Sequence, residues 1–268
     1  MKPTVLITGA SSGIGAVYAD RFARRGHDLV VVARDTARLD AIARGLHDRT
    51  GVRVDVLTAD LSSRTDLAQV EARLLDDRRI GILVNNAGLS LPGGFVDQSG
   101  ADLQRLLDVN VVALARLANA AATRFVQEGA GDIVNVGSVL GVAPELGMSA
   151  YAGTKAFVLT FSQALQLELG PRGVYVQVVL PAATRTEIWE RSGRDIDQVP
   201  GVMAVDDLVD AALVGFDRRE AVTIPPLPDA DQWAAFETAR KAMLPNFRHS
   251  QPAARYRSLA SAAASGPG

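Results

Sequence analysis

The chain has 268 residues, 48% hydrophobic and 22% charged, with a formal net charge of −2, so it can bury a large core but lacks the basic surplus that nucleic acid or acidic lipid calls for. It contains no cysteine, which excludes disulfides, thiolate metal sites and a cysteine nucleophile. Its three histidines, His27, His47 and His249, are too scattered for a histidine metal centre or a Ser-His-Asp triad, and no metal is expected.

Met1-Lys2-Pro3 runs straight into an apolar strand without a signal-peptide pattern, and no run of about 18 uncharged apolar residues follows. A cytoplasmic protein without a membrane partner is the expectation. Short β-branched runs then alternate with segments of helical period. "TVLIT" (4–8) leads into the glycine-rich "TGASSGIG" (8–15) and the helical "IGAVYADRFARRG" (14–26). Gly9, Gly13 and Gly15 remove Cβ atoms at a helix start, whose N–H groups and dipole stabilise a pyrophosphate if nothing blocks its approach. Ser11, Ser12 and Ile14 complete that turn. The spacing G-x-x-x-G-x-G differs from the general G-x-G-x-x-G fingerprint, and a purely structural turn is the alternative.

The second strand, "DLVVVA" (28–33), ends at small Ala33, followed by Arg34 and Asp35. An acidic side chain there suits the ribose hydroxyls of NAD, and a guanidinium the 2′-phosphate of NADP. Arg34 therefore favours NADP(H). Asp35 either leaves NAD(H) open or caps the helix "ARLDAIARGLHD" (37–48). After the strand "VRVDVL" (52–57), Asp60, with Leu61 beside it, either hydrogen-bonds the adenine amino group or caps the helix "TDLAQVEARLLDD" (65–77).

"IGILVN" (80–85) runs into Asn86, Ala87 and Gly88, and a long helical stretch at 102–127 carries Asn110. "GDIVNVG" (131–137) ends at Ser138, on the C-terminal edge of a strand, where ligands bind in open α/β sheets. The helix "SAYAGTKAFVLTFSQALQLEL" (149–169) places Tyr151 and Lys155 on one face, one turn apart. A phenol with its unperturbed pKa of ~10 is a poor base unless a cation stabilises the phenolate. Lys155 supplies that cation, and Ser138 donates to the substrate oxygen that Tyr151 protonates. "VYVQVVL" (174–180) and "EAVTI" (220–224) complete seven strands, and "SLASAAASGPG" (258–268) reads as a frayed tail. Strand–helix alternation with near-continuous apolar strands indicates a parallel sheet covered on both faces by right-handed crossovers.

"TGASSGIG", "NNAG" (85–88), Asn110 in "DVNVVAL", Ser138 and "YAGTK" together resemble the motifs of the short-chain dehydrogenase/reductases, from residue 4 to about 190. The resemblance implies a three-layer Rossmann-type α/β fold with a doubly wound, seven-stranded parallel sheet. It implies one NAD(P)-binding domain over 1–247, with a substrate lid at about 182–205 and 225–247, and a flexible tail at 248–268. Asn110, Ser138, Tyr151 and Lys155 would form a catalytic tetrad moving hydride between NADP(H) and a carbonyl or secondary alcohol. In it Tyr151 is the general acid/base, Lys155 holds the nicotinamide ribose and Asn110 positions a relay water. The resemblance sets the pyrophosphate against Gly9, Gly13 and Gly15, lines the cofactor with Asn86, Ala87 and Gly88, and puts Pro181 with Thr186 or Thr184 at the carboxamide.

Ala182 departs from the family pattern, standing where a glycine usually follows Pro181 and narrowing the backbone freedom there. Ser138, Tyr151, Leu140 and Trp189, with Val142, Leu146, Met148, Ile188, Val202, Met203 and Trp233, suggest an uncharged, moderately hydrophobic small-molecule substrate. Glu145, Arg185 and Arg191 leave a charged one open. Family members pair through the helices matching 102–127 and 149–169, so a homodimer or homotetramer is expected. The alternative from another class is a non-enzymatic NADP(H)-binding sensor or scaffold, which has no need of the four tetrad residues together.

Overall fold

The computed structural model describes residues 2–187 and 196–257. The chain falls into two compact units that meet between Pro226 and Leu227. In the first, seven strands alternate with helices: β1 (Thr4–Thr8), α1 (Gly13–Arg24), β2 (Leu29–Ala33), α2 (Thr36–Thr50), β3 (Val54–Thr58), α3 (Arg64–Asp76), β4 (Ile80–Asn85), α4 (Gly100–Leu107), α5 (Leu114–Glu128), β5 (Gly131–Val136), α6 (Ser149–Leu169), β6 (Val174–Val179), α7 (Val205–Asp217) and β7 (Val222–Thr223). Among the described residues the second unit holds α8 (Ala230–Ala242) and two 3-10 turns, with Trp233 stacked on Phe236 at 5.2 Å.

All strand pairs are parallel and the order is β3-β2-β1-β4-β5-β6-β7. Side chains alternate between faces along each strand. Val5 and Ile7 of β1 join the core of Tyr18, Phe22, Leu39, Leu46, Val209 and Phe216, whereas Leu6 joins Leu67, Val70, Leu74, Leu117, Ala121 and Phe125 on the other face. Burial on both faces explains strands written as nearly unbroken Val, Ile and Leu. The strand order reverses between β1 and β4, and such a switch point opens a ligand crevice beyond the carboxyl ends of the strands.

Three sequence expectations are corrected. The helical stretch at 102–127 is interrupted: between α4 and α5 the chain makes a π-helical segment, Asp108–Ala113, which has a different backbone hydrogen-bond register but no breaker residue to announce it. The seventh strand spans only Val222–Thr223, because β7 is an edge strand paired on one side through two register positions. Gly100–Glu128 is, by length and composition, apolar enough to cross a membrane. Requiring a wholly uncharged run concealed it. Half of its most apolar window is buried, its inner face forms the core with α3, and Arg116 chelates Glu71 across the two helices.

Candidate active site

The β1–α1 turn is left-handed at Gly9 (φ 66°) and Gly13 (φ 53°), a conformation that costs glycine little. A Cβ on Gly15 would lie 2.3 Å from the Gly9 carbonyl oxygen and 2.5 Å from Asn86 Nδ2. The closest demand on this glycine therefore comes from the chain itself. Asn86 donates to the carbonyls of Thr8 (2.9 Å) and Gly9 (3.2 Å), while the Thr8 hydroxyl accepts from the N–H groups of Asn86 and Ala87, both at 3.0 Å. Asn86 thus ties the ends of β1 and β4 together at the switch point. Ser12 precedes α1 without a side-chain cap, leaving the helix start clear, and Ile14 packs on the core. Ser11 is half-buried in the same turn.

At the end of β2, Asp35 caps α2 by accepting from the Arg38 N–H at 3.0 Å, which settles its role in the fold. Arg34 is half-exposed and 4.0 Å from Asp60. Asp60 accepts from the Ser62 N–H and hydroxyl at 3.0 and 2.7 Å, and Ser63 caps α3, so the helix-cap alternative for Asp60 is corrected. Those two bonds hold the Asp60 carboxyl below its ordinary range against the opposing effect of burial, the largest single influence. Leu61 is buried in the core under α3.

The four tetrad candidates converge from three segments: the π-helical segment, the end of β5 and α6. Asn110, 1% exposed, sits in the π-helical segment. Its amide accepts from the Leu89 N–H (2.9 Å) and donates to the Leu89 carbonyl (2.9 Å) and the Thr154 hydroxyl (3.1 Å). Thr154 in turn donates to the Tyr151 carbonyl at 2.7 Å. Lys155 Nζ donates to the Val136 carbonyl at 2.8 Å and lies 5.5 Å from the centre of the Tyr151 ring. Ser138 Oγ donates to the Pro181 carbonyl at 3.3 Å and accepts from the Leu140 N–H at 3.2 Å, and it faces the Tyr151 phenol. A Cβ on Gly88 would sit 3.4 Å from Asn110 Oδ1 and 3.6 Å from Lys155 Nζ, placing that glycine beside both.

Burial pushes the Tyr151 phenol up to about 12, against a lowering influence of the neighbouring Ser138 hydroxyl, and drives the Lys155 ammonium down to about 8. Burial thus outweighs the lowering that Lys155 was expected to give. Its ammonium is directed to the Val136 carbonyl, and desolvation disfavours charge on both groups.

Thr184 is buried, donates to the Ala182 carbonyl at 3.0 Å and bridges to Met203. Thr186 instead lies over the glycine turn, its methyl 3.1 Å from where a Gly13 Cβ would stand. Ala182 is not among the described non-glycine residues with positive φ, so an alanine there is unstrained. Of the pocket candidates, Leu140, Val142, Met148, Val202 and Met203 are half-buried and Leu146 is 56% exposed. Trp189, Ile188 and Arg191 lie outside the described residues. Met148, just before α6, holds φ 57°, a costly left-handed conformation for a side chain of its size.

Sequence reasoning missed Thr154, the Val136 carbonyl and the pairing of Arg38 with Glu187, at 2.8 and 2.9 Å. It also missed a buried amide chain behind the site, Asn85 to Asn135 to Ser162. Among the described residues no group of His, Cys, Asp and Glu is placed to hold a metal. An open groove of about 830 Å³ lies at the opposite, amino-terminal edge of the strands, but its Arg53, Arg79 and Arg219 are already paired with Asp28, Asp77 and Asp132.

The sequence profile of a family described as short chain dehydrogenase matches residues 3–197. A solved short-chain dehydrogenase from Sphingobium yanoikuyae, in complex with NADPH, is 64% identical and superposes with a TM-score of 0.94, covering 95% of this chain and 100% of that one. The bulky-bulky ketone specific alcohol dehydrogenase from Comamonas testosteroni is 55% identical with a TM-score of 0.89, covering 96% and 99%. Among curated proteins, the very-long-chain 3-oxoacyl-CoA reductase of Anas platyrhynchos is 30% identical over 197 residues, 72% of this chain and 63% of that protein. The chain thus matches less than two thirds of that relative's length.

Proposed function

This chain belongs to the short-chain dehydrogenase family of oxidoreductases, and we propose that it is an NADP(H)-dependent reductase of uncharged, apolar ketones or aldehydes, with Tyr151 as proton donor. The observation that carries the chemistry is the convergence of Ser138, Tyr151 and Lys155, with Lys155 Nζ 5.5 Å from the centre of the Tyr151 ring and the phenol held up at about 12.

The residues fit a phosphorylated dinucleotide. Gly9 and Gly13 keep side chains away from the start of α1, whose first N–H groups lack intrahelical partners, and Arg34 and Arg38 offer guanidinium groups at the β2–α2 junction. The Sphingobium relative carries NADPH, which supports the same choice here. Once bound, the nicotinamide supplies the hydride to the carbonyl carbon.

Tyr151 and Ser138 act on the carbonyl oxygen. Ser138 donates a hydrogen bond to the oxygen as negative charge develops, and Tyr151 gives up its proton. A phenol kept protonated at neutral pH suits reduction. Lys155, with the Val136 carbonyl fixing its ammonium, supplies positive charge beside the phenolate as it forms. Asn110, clamped by Leu89 and Thr154, braces the end of β4 against α6.

Leu140, Val142 and Met148, half-buried along the chain between Ser138 and Tyr151, support an apolar substrate. The name of the Comamonas relative, a bulky-bulky ketone specific enzyme, supports one with large groups on both sides of the carbonyl. Exposed Leu107, Val112, Phe157 and Leu167, on α4, the π-helical segment and α6, support pairing between copies in a cytoplasmic homodimer or tetramer. Sedimentation at dimer mass or above is the expected result.

The functional test is steady-state consumption of NADPH with a ketone bearing two aromatic groups, against a charged oxo acid. The reading expects kcat/KM for the diaryl ketone to exceed that for the oxo acid by about 100-fold or more, of the order that an unpaired buried charge costs. Preference for the oxo acid contradicts it.

A further inference from the structure

Arg38 lies in the first turn of α2, four residues after Arg34, and its guanidinium reaches a residue 149 positions away. Its Nη1 is 2.8 and 2.9 Å from the two carboxylate oxygens of Glu187, and its Nε is 3.4 Å from Asp35 Oδ2. Arg34, at the same junction, faces Asp60 at 4.0 Å. The Arg38 and Glu187 side chains are 50% and 36% exposed. An ion pair that wet adds at most about 1 kcal/mol to stability, so folding gives this pair little reason to exist.

Its position supplies a better one. Glu187 directly follows Thr186, whose methyl rests against Gly13, so one short strip overlies the glycine turn and carries a carboxylate to the arginine beside Arg34. Carboxylate and phosphate present the same face to a guanidinium, a pair of anionic oxygens. We propose that Glu187 is a specificity-determining residue that competes with the adenosine 2′-phosphate for Arg38, and thereby sets how strongly the site prefers NADP(H) over NAD(H).

This inference rests on the proposed use of NADP(H). The net affinity for the phosphorylated cofactor is what the phosphate gains at Arg34 and Arg38 minus what Glu187 gives up. NAD(H), without the phosphate, leaves the Arg38–Glu187 pair undisturbed. The carboxylate therefore weakens NADP(H) selectively, and the discrimination between the two cofactors lies partly on a residue outside the β2–α2 junction.

The experiment is calorimetric titration of the full chain with NADPH and with NADH, for the wild type, Glu187→Gln, Arg38→Ala and the double variant, with thermal melts confirming that each is folded. Glu187→Gln is expected to tighten NADPH about three- to tenfold, the range one exchanged surface ion pair spans, and to move NADH less than about twofold. In the Arg38→Ala background the same change is expected to do nothing. NADPH affinity unchanged or weakened by Glu187→Gln overturns the proposal, as does an equal gain for both cofactors or a gain that survives the loss of Arg38. A wild type with no preference for NADPH overturns the cofactor reading itself. A wild type that prefers NADPH with an inert Glu187→Gln overturns the competition alone.

Discussion

At the β2–α2 junction, Arg34 and Arg38 keep about half of their side chains in water and stand against carboxylates, whereas Lys155 is 5% exposed, Asn110 is 1% exposed, and among the described residues no carboxylate is hydrogen-bonded to either. The contrast separates two tasks. Charges in water are screened and exchange partners at small cost, which suits recognition of a phosphate. Desolvated groups have their protonation shifted, the phenol up and the ammonium down, which suits moving a proton. Each region should therefore fail in its own way when altered.

The largest expected effect is at the buried end. Tyr151→Phe removes the proton donor and keeps the ring, and turnover with any accepted ketone is expected to fall by about 1,000-fold or more, toward the upper range for a general acid. Turnover within tenfold of wild type breaks the division of labour. Stopped-flow or steady-state NADPH consumption measures it.

Lys155 gives the next effect, of opposite sign on stability. Its folded pKa, about 8, is below the ordinary 10.5, so the unfolded state binds more protons between those values and stability rises with pH across that window. Below pH 8 the desolvation penalty is fully present. Lys155→Met removes that penalty, about 3 kcal/mol at neutral pH, and loses the bond to the Val136 carbonyl, about 1 kcal/mol. Cofactor-free Lys155→Met is therefore expected to melt above wild type at pH 7, with the gap closing toward pH 10.5. A variant that melts lower at pH 7, or a gap that does not change with pH, contradicts the burial account.

The smallest of the three lies at the exposed end. Arg34→Ala is expected to weaken NADPH about tenfold, the worth of one charge-assisted contact to phosphate, and to leave NADH within about twofold. Equal loss for both cofactors would assign Arg34 to the fold instead of the phosphate.

Periodicity was enough to locate the sheet and most helices, because strands buried on both faces must be apolar throughout; α6 runs over the same residues, 149–169, that its sequence pattern marks. Edges and registers were not legible. The π-helical segment around Asn110 has an ordinary helical composition, and the partners Asn110 meets there, Leu89 and Thr154, lie 21 and 44 residues away in sequence. In the site, residue types and spacing were enough to single out Ser138, Tyr151 and Lys155, which the fold brings together. The desolvation of Tyr151 and Lys155 was hidden, since it comes from packing, and the Lys155 partner is a backbone carbonyl, which every residue has. Arg38 and Glu187 were hidden for another reason: a pair 149 residues apart leaves no local pattern.

The most direct test of the separation is NADPH titration of Tyr151→Phe by calorimetry, run beside its turnover. The expected result is a dissociation constant within about twofold of wild type on a protein that no longer reduces ketones, since the lost group serves the reacting oxygen and not the phosphates. A loss of affinity as large as the loss of turnover would show that Tyr151 works in cofactor binding, and would contradict the account.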